Sequence, residues 1–217
     1  MLPIILKDRS KDQFYVEPFV GGANVIDKVH GHRIGSDSNK YLIALLKAMK
    51  DEWTPPYVDK DFYEKIKSTP ENYSDELVGF AATQLTYGSK WFDSYRRDSV
   101  GLRDYAQEAI NNINKQSSNL EGIEFICSDY SDLEIPPNSI IYCDPPYCST
   151  TRYTGVDPFN TIEFWDWCSK MVIKGHSVFV SEYTAPDDWN CVWEKRVNSS
   201  LTKDTGCKKQ IEKLFTK

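Results

Sequence analysis

The fold is decided by a short stretch near the start of the chain, residues 14–24, which reads FYVEPFVGGAN. An apolar run from Phe14 to Phe19 is followed by a turn of small residues, Val20 to Asn24, whose two glycines permit a close backbone approach to a ligand. The next residues, Val25 to Val29, predict a helix. A strand, a tight loop and a helix in this order indicate the opening unit of a parallel α/β sheet.

The same alternation continues on both sides of the middle of the chain. His32–Asp37 predicts a second strand that ends on an acid, and Asn39–Lys50 carries apolar residues at helical spacing. Further elements are predicted as strands at Ile123–Asp129, Ser139–Asp144 and Ser177–Ser181, a helix at Ile162–Lys174, and a final hairpin in the tail. The fold class is therefore α/β, with an open and mainly parallel sheet.

The middle of the chain has a different pattern, with helical segments and no evident strand. The helices are predicted at Asp59–Lys67, Ser74–Thr86 and Leu102–Lys115, after a hinge at Trp53-Thr54-Pro55-Pro56. Two parts of one domain are thus expected: residues 1–50 and 120–217 form the sheet, and residues 51–119 form a helical insert at its edge.

Charge and hydropathy exclude several classes of protein. The net charge of −6 argues against a protein that coats nucleic acid by bulk electrostatics, so any DNA contact must be local. The 40% hydrophobic and 27% charged residues are typical of a soluble domain, and no apolar run approaches the roughly 20 residues needed to span a bilayer. A cytoplasmic protein without a membrane partner is expected.

The cysteines and histidines form no metal-site pattern. The 6 cysteines contain no Cys-x-x-Cys pair, and the only closely spaced histidines are His30 and His32. We therefore expect no metal ion, and we expect reduced, mostly buried cysteines rather than a disulfide framework.

Four carboxylates lie at or near predicted strand ends, namely Glu17, Asp37, Asp129 and Asp144. Because ligands bind outside the carboxyl ends of parallel strands, these side chains are expected to converge on one crevice. Asp37 follows Gly22 by 15 residues, a position from which an acid can hold both hydroxyls of a ribose. A plain structural turn explains the two glycines equally well.

The most specific signal is the tetrapeptide Asp144-Pro145-Pro146-Tyr147, which follows a buried strand. Two consecutive prolines fix the backbone and remove two amide donors, so the flanking side chains and carbonyls are held rigidly. A Pro-Pro strand terminator is the simpler alternative, although the preceding acid and the following aromatic residue argue against it.

The segments Val16–Gly22 and Tyr142–Tyr147 resemble the two signature motifs of the Dam-like, D12-class DNA adenine methyltransferases, in the alpha-type order. Phe164–Phe179, Lys208–Leu214 and Tyr87–Trp91 are similar to further segments of that family. The resemblance implies a Rossmann-like S-adenosylmethionine-dependent methyltransferase sheet with a helical target-recognition insert. It also implies a site-specific transfer of a methyl group to adenine N6, in the phage or restriction-modification settings where the family is frequent.

The family mechanism suits the tetrapeptide. The amino nitrogen of adenine is a poor nucleophile because its lone pair is delocalised into the ring, and Asp144 and the Pro145 carbonyl can each accept one of its N–H groups. The resemblance implies that Tyr147 stacks on the adenine, which has to leave the duplex first.

The resemblance also implies roles in binding the cofactor and double-stranded DNA. Glu17, Pro18, Phe19, Gly21 and Gly22 would meet the methionine end of S-adenosylmethionine, Asp37 its ribose, and Asp129 and Tyr130 its adenine. Asp129 lies among capping residues, so a turn cap is an alternative. Lys90, Arg96 and Arg97 would contact phosphates, or else form a solvated helical face.

One departure from the family concerns the segment before the glycine motif. Dam-like enzymes carry a Gly-x-Lys-rich segment there, whereas only Met1–Lys11 precedes the first strand of this sequence. The expectations are a truncated start, a homodimer or partner chain that supplies the element, or a non-catalytic homologue that binds DNA. A change of acceptor to cytosine N4 or a glutamine amide is another alternative, which Asp144 disfavours because the related enzymes usually have Ser or Asn there.

Overall fold

A computed structural model of the protein describes residues 1–98, 100–146, 159–197 and 210–217. Within these ranges the strands are β1 (Tyr15–Glu17), β2 (Arg33–Asp37), β3 (Ile123–Cys127), β4 (Ile140–Cys143), β5 (Ser177–Glu182), β6 (Asn190–Val197) and β7 (Gln210–Thr216). The α-helices are α1 (Leu2–Ile5), α2 (Lys40–Lys50), α3 (Lys60–Ser68), α4 (Asp75–Gln84), α5 (Tyr105–Ser117) and α6 (Thr161–Ile173). None of these helices is long and apolar enough to cross a bilayer.

The strands form one sheet in the order β3-β2-β1-β4-β5-β7-β6. Strands β1 to β5 pair in parallel, and β7 runs antiparallel to both of its neighbours. The predicted Rossmann-like α/β fold and the hairpin in the tail are thereby confirmed. The strand order reverses between β1 and β4, and in such sheets this switch point is where a crevice opens for ligands.

The central strands are buried on both faces, as expected for parallel strands covered by helices. Helix α2 begins where the Asn39 side chain accepts hydrogen bonds from the amides of Tyr41 and Leu42. Asn160 caps α6 in the same way. Both helices start just after the carboxyl edge of the sheet and run back along its faces, so they hold the loops at that edge in place.

Helices α3, α4 and α5 share one hydrophobic core with the sheet and α2. Helices α4 and α2 approach each other closely, since a Cβ atom added to Gly79 would lie 2.2 Å from the carbonyl oxygen of Tyr41. Buried members of this core from residues 51–119 include Val58, Tyr63, Ile66, Val78, Phe80, Leu85 and Ile110. The assignment of this region as a target-recognition insert stays a prediction.

Two local elements differ from the sequence expectations. In place of a helix over Val25–Val29 the chain makes a single 3₁₀ turn at Ile26–Lys28, because no side chain caps its first residue and Val29 is already extended. Helix α5 begins at Tyr105 rather than Leu102, because Asp98 holds the amide of Leu102 in a loop and Asp104 provides the helix cap.

Candidate active site

The crevice at the switch point brings the glycine loop after β1 beside the Asp-Pro-Pro segment after β4. Val16 and Ile141 are register partners, so Glu17 and Asp144 leave neighbouring strands at the same edge of the sheet. Asp144 is exposed directly after the buried Cys143. Pro145 is buried and Pro146 is exposed, whereas Tyr147 lies outside the described residues.

Glu17 is a buried carboxyl at the floor of this crevice, with only 3% of its surface exposed. The Tyr15 hydroxyl donates to its Oε1 atom at 2.8 Å. Desolvation by burial raises the pKa of Glu17 to about 8, the Tyr15 hydrogen bond opposes this shift, and the nearby Asp144 carboxylate adds to it. Glu17 is therefore largely protonated at neutral pH unless a cation binds beside it.

Asp37 connects the end of β2 to the glycine loop. Its Oδ2 atom accepts the Gly21 amide at 3.4 Å, and its Oδ1 atom accepts the Asn39 amide at 2.9 Å. Burial raises the pKa of Asp37, while these two amide hydrogen bonds lower it. Gly21 has a φ of 48° and a Cβ there would meet no atom within 4 Å, so open space adjoins the loop.

An aromatic cluster forms one wall of this edge. The ring centroid of Phe19 lies 5.2 Å from that of Tyr130 and 5.6 Å from that of Phe164, and Tyr130 lies 5.2 Å from Trp167. Phe159 packs against Phe19 at 5.8 Å. The sequence interpretation included Phe19 and Tyr130 but missed the other three rings, which come from α6 and the residues just before it.

Asp129 takes part in a local turn. Its Oδ1 atom accepts the Ser131 amide at 2.9 Å and the Ser131 hydroxyl at 2.7 Å, which is the capping arrangement that the sequence left open. The side chain is otherwise exposed. A role for Asp129 in cofactor binding stays a prediction.

Several polar groups at the ends of β4 and β5 were not found from the sequence. The Tyr142 hydroxyl and Ser181 Oγ lie 2.9 Å apart, and Ser181 also contacts Met1 Sδ at 3.5 Å. Glu182 is 8% exposed, and its Oε2 atom has no hydrogen-bond partner in the described part of the chain. Burial, with a contribution from the Asp144 carboxylate, raises the pKa of Glu182 to about 7. No sequence motif marks these residues, because only the pairing of β4 with β5 brings them together.

The predicted DNA-contacting cations lie on the helical region rather than on the crevice floor. Lys90 and Arg97 are exposed, and the Arg96 guanidinium lies 4.1 Å above the centre of the Tyr105 ring. Trp91 follows Lys90 and packs its ring 5.5 Å from that of Tyr41, in the first turn of α2. The segment that carries these cations is thus tied to the end of β2.

Two cavities flank Arg96 and Tyr105, with volumes of about 410 Å³ and 330 Å³. Charged and polar groups, among them Arg103 and Asp104 in the larger cavity and Glu108 in the smaller, line both. Neither cavity includes the crevice residues named above.

The cysteines and potential metal ligands are dispersed. Within the described ranges Cys143 and Cys168 are buried and Cys127 and Cys191 are exposed, all as unpaired thiols. No group of three or more potential metal ligands occurs in those same ranges. Cys148 and Cys207 lie outside them.

Two solved structures are similar to nearly the whole chain. One is the crystal structure of tRNA (m1A58) methyltransferase TrmI from Aquifex aeolicus, with 13% identity, a TM-score of 0.40, and coverage of 99% of this chain and 66% of that one. The other is SMU.472, classed as a methyltransferase and complexed with SAH, with 12% identity, a TM-score of 0.35, and coverage of 98% and 50%. The chain therefore spans between half and two thirds of these proteins.

Sequence comparisons define the family. No curated protein sequence matches the chain significantly. The family model described as D12 class N6 adenine-specific DNA methyltransferase matches residues 2–84 and 92–183, which includes β1 to β5, the glycine loop and the Asp-Pro-Pro-Tyr segment. The chain belongs to the D12 class N6 adenine-specific DNA methyltransferase family.

Proposed function

We propose that this protein transfers a methyl group from S-adenosylmethionine to the N6 atom of an adenine that has left a DNA duplex. The observation that carries the proposal is the position of Asp144, an exposed carboxylate at the end of a buried strand, next to the glycine loop of β1. Family membership supplies the acceptor atom. The crevice supplies hydrogen-bond acceptors on the backbone-restricted Asp-Pro-Pro segment.

The crevice residues fit the proposed cofactor. Asp37 has further lone pairs for two ribose hydroxyls, and the open space beside Gly21 accommodates a ligand close to the backbone. Phe19 and Tyr130 offer aromatic surface for an adenine ring, and Glu17 is a carboxyl that would ionise beside the methionine ammonium group. Pro18 and Gly22 complete the proposed cofactor loop, and Asp129 is proposed to lie with Tyr130 near the adenine of the cofactor. The bound cofactor would supply a sulfonium methyl group, with the neutral thioether as the leaving group when the carbon–sulfur bond breaks.

The chain's own residues then act on the adenine amine. Asp144 and the carbonyl oxygen of Pro145 each accept one N–H, which favours a pyramidal nitrogen with its lone pair directed away from the ring. Once the nitrogen carries the methyl group it has to lose one proton, and Asp144 is the base proposed to take it. Pro146 holds this carbonyl in place, and Tyr147 is proposed to stack on the extruded base. Positioning supplies most of the remaining acceleration, because two reactants are held in contact.

The DNA contacts proposed here are local, as the net charge of −6 requires. Residues 51–119 would carry target recognition, with Lys90, Arg96 and Arg97 on the phosphates. The methionine end of the cofactor would be covered either by this chain alone or by a second copy or partner chain. The proposed setting is the cytoplasm, where the protein would act on DNA.

The test is methyl transfer from radiolabelled S-adenosylmethionine to duplex DNA, followed by digestion to nucleosides. Wild-type protein is expected to yield N6-methyladenine. Asp144→Ala is expected to lower the rate by about 10³-fold, in the range for removal of a transition-state acceptor, while cofactor affinity changes little. Asp166→Ala, on the exposed face of α6, is the matched control.

Other outcomes separate the alternatives. N4-methylcytosine among the products would change the acceptor. If the protein binds the cofactor but transfers no methyl group to any duplex tested, a non-catalytic or partner-dependent DNA-binding homologue is favoured. Full activity of Asp144→Ala would refute the proposed mechanism.

A further inference from the structure

We propose that Gln116, in the last turn of α5, is a positioning residue for the cofactor, because it holds the glycine loop (Val20–Asn24) in a strained shape from behind. The inference rests on the proposed function, which assigns this loop to S-adenosylmethionine. It goes further by giving the helical region 51–119 a part in cofactor binding, through a residue that lies outside every motif of the sequence.

The first observation is strain in the backbone of the glycine loop. Ala23 has a φ of 57°, in the left-handed region, and its side chain is fully buried. Glycine adopts this conformation freely, whereas the Cβ atom of alanine makes it unfavourable. A residue in such a conformation persists only where the surrounding structure fixes it, and residues of this kind cluster at ligand sites.

The second observation is that the peptide unit between Gly22 and Ala23 is held at both ends. The Ala23 amide donates to the Val20 carbonyl at 2.8 Å, which closes a turn within the loop. The Gly22 carbonyl accepts a hydrogen bond from Gln116 Nε2 at 3.1 Å. Rotation of this peptide plane would release the left-handed φ of Ala23. The bond from Gln116 therefore opposes the relaxation of the loop.

The third observation is that Gln116 is itself held in place. Its Nε2 atom also donates to Asp27 Oδ2 at 3.2 Å, and the Asp27 side chain is only 9% exposed. The following residue, Ser117, donates its hydroxyl to the Met49 carbonyl in the last turn of α2 at 2.6 Å. Both N–H groups of the Gln116 amide can thus be used, and the end of α5 is fixed to the sheet domain.

The glycine loop also has a free side. A Cβ atom at Gly21 would meet no atom within 4 Å, so the loop combines a fixed contact to α5 with open space beside its backbone. A ligand that binds only one loop shape loses apparent affinity in proportion to the fraction of molecules that leave that shape. Loss of the Gln116 bond should therefore weaken cofactor binding and leave the methyl-transfer step unchanged.

The experiment compares Gln116→Met with wild type in two measurements: S-adenosylmethionine affinity by calorimetry, and the single-turnover rate of methyl transfer at saturating cofactor. Methionine keeps the approximate length of the side chain but has no N–H donor. We expect the affinity to fall about tenfold, as for the loss of one hydrogen bond. The rate at saturating cofactor is expected to stay within about twofold of wild type.

Gln107→Met is the matched control. It makes the same substitution in the same helix, where Gln107 Nε2 donates to Asn111 Oδ1 at 3.0 Å on the exposed face. We expect it to change neither the affinity nor the rate. Urea unfolding of each variant checks that the chain is folded.

A second variant separates positioning from a merely structural role. Ala23→Gly removes the Cβ atom that makes the left-handed conformation unfavourable, so the loop should depend less on Gln116 to keep its shape. In the Ala23→Gly background we expect Gln116→Met to weaken cofactor binding by no more than about threefold. A general loss of packing around α5 would instead lower the affinity equally in both backgrounds.

Three results would overturn the role of Gln116: an unchanged cofactor affinity of Gln116→Met, an equal loss of affinity in both backgrounds, or a loss confined to the rate at saturating cofactor. Failure of the proposed function looks different. Wild type that binds S-adenosylmethionine without methyl transfer would overturn the proposed reaction alone, since the affinities still test Gln116. Wild type that does not bind S-adenosylmethionine would overturn both.

Discussion

The crevice at the ends of β1 and β4 and the surface around Tyr105 are built in opposite ways. The crevice carries buried or half-buried carboxyls whose positions follow from strand order and backbone turns, and burial shifts the pKa of Glu17 and Asp37 upward. On the Tyr105 surface, Arg96 and Arg103 pack on the Tyr105 ring, and Arg103 forms an ion pair with Glu108 that is open to solvent. A single substitution in the crevice is therefore expected to change binding or stability much more than a single substitution on the Tyr105 surface.

The largest effect on cofactor binding is expected for Asp37→Ala, measured as S-adenosylmethionine affinity by calorimetry. If Asp37 holds two ribose hydroxyls as proposed, its removal costs two charge-assisted hydrogen bonds, so we expect affinity to fall about 100-fold. Asp166→Ala is again the control, because its side chain lies exposed on α6. An Asp37→Ala affinity within threefold of wild type would show that Asp37 does not bind the cofactor. The expected difference between the crevice and the Tyr105 surface would then be wrong.

A smaller effect is expected for Glu17→Gln, in the pH dependence of stability. The pKa of Glu17 is about 8 in the folded chain and 4.5 in its ordinary state, so the folded chain keeps a proton that the unfolded chain loses. The contribution of Glu17 to wild-type stability should therefore be greatest below pH 4.5 and fall between pH 4.5 and 8, by at most ~1.4 kcal/mol per pH unit. Glutamine does not titrate, so the variant should show a shallower fall.

The measurement for Glu17 is urea unfolding at pH 5 and pH 8. In the Glu17→Gln variant the stability should still fall somewhat as pH rises, because Glu182 has a pKa of about 7 in the folded chain. Glu124→Gln, at an exposed position of β3, is the control and should follow wild type. Parallel curves for Glu17→Gln and wild type would show that Glu17 is ionised in the folded chain.

The smallest effect is expected for Arg97→Ala, in DNA binding. Loss of one exposed phosphate contact should weaken binding by a few fold, equally on all sequences, and reduce the slope of log affinity against log salt by about 1. Lys174→Ala removes a charge at the exposed end of α6 and should leave both quantities unchanged. A loss of DNA affinity of more than about 100-fold would indicate that Arg97 contacts a base. The crevice and the Tyr105 surface would then differ less in the effect of a single substitution.

Much of the sheet could be predicted from the sequence, because each central strand is a short apolar run bounded by turn residues or an acid. The convergence of Glu17, Asp37 and Asp144 follows from a general property of parallel sheets, and it needs no knowledge of side-chain contacts. The tetrapeptide at Asp144 is local in the chain, so its backbone restriction is visible in the sequence alone.

What could not be predicted depends on contacts between distant segments. The hydrogen bonds from Tyr142 to Ser181 and on to Met1 join three segments, and the isolated Oε2 atom of Glu182 has significance only once the strand is known to be buried. Val25–Val29 has helical periodicity, yet it is too short to form more than one turn without a cap. The rings of Phe159 and Phe164 reach Tyr130 through the packing of α6, which no local pattern reports.

The close contact of Gly79 with the Tyr41 carbonyl has a consequence for how specificity can be engineered or exchanged. Because a Cβ atom at position 79 would clash with the Tyr41 carbonyl, and because Tyr41 lies four residues after Asp37, we expect α4 and the Asp37 end of β2 to behave as one cooperative unit. Grafting residues 51–119 from a relative would bring in a foreign α4 at this contact and strain α2 beneath it. If residues 51–119 carry target recognition as proposed, new target preferences should be obtained more readily by changing exposed loop side chains than by exchanging the region as a cassette.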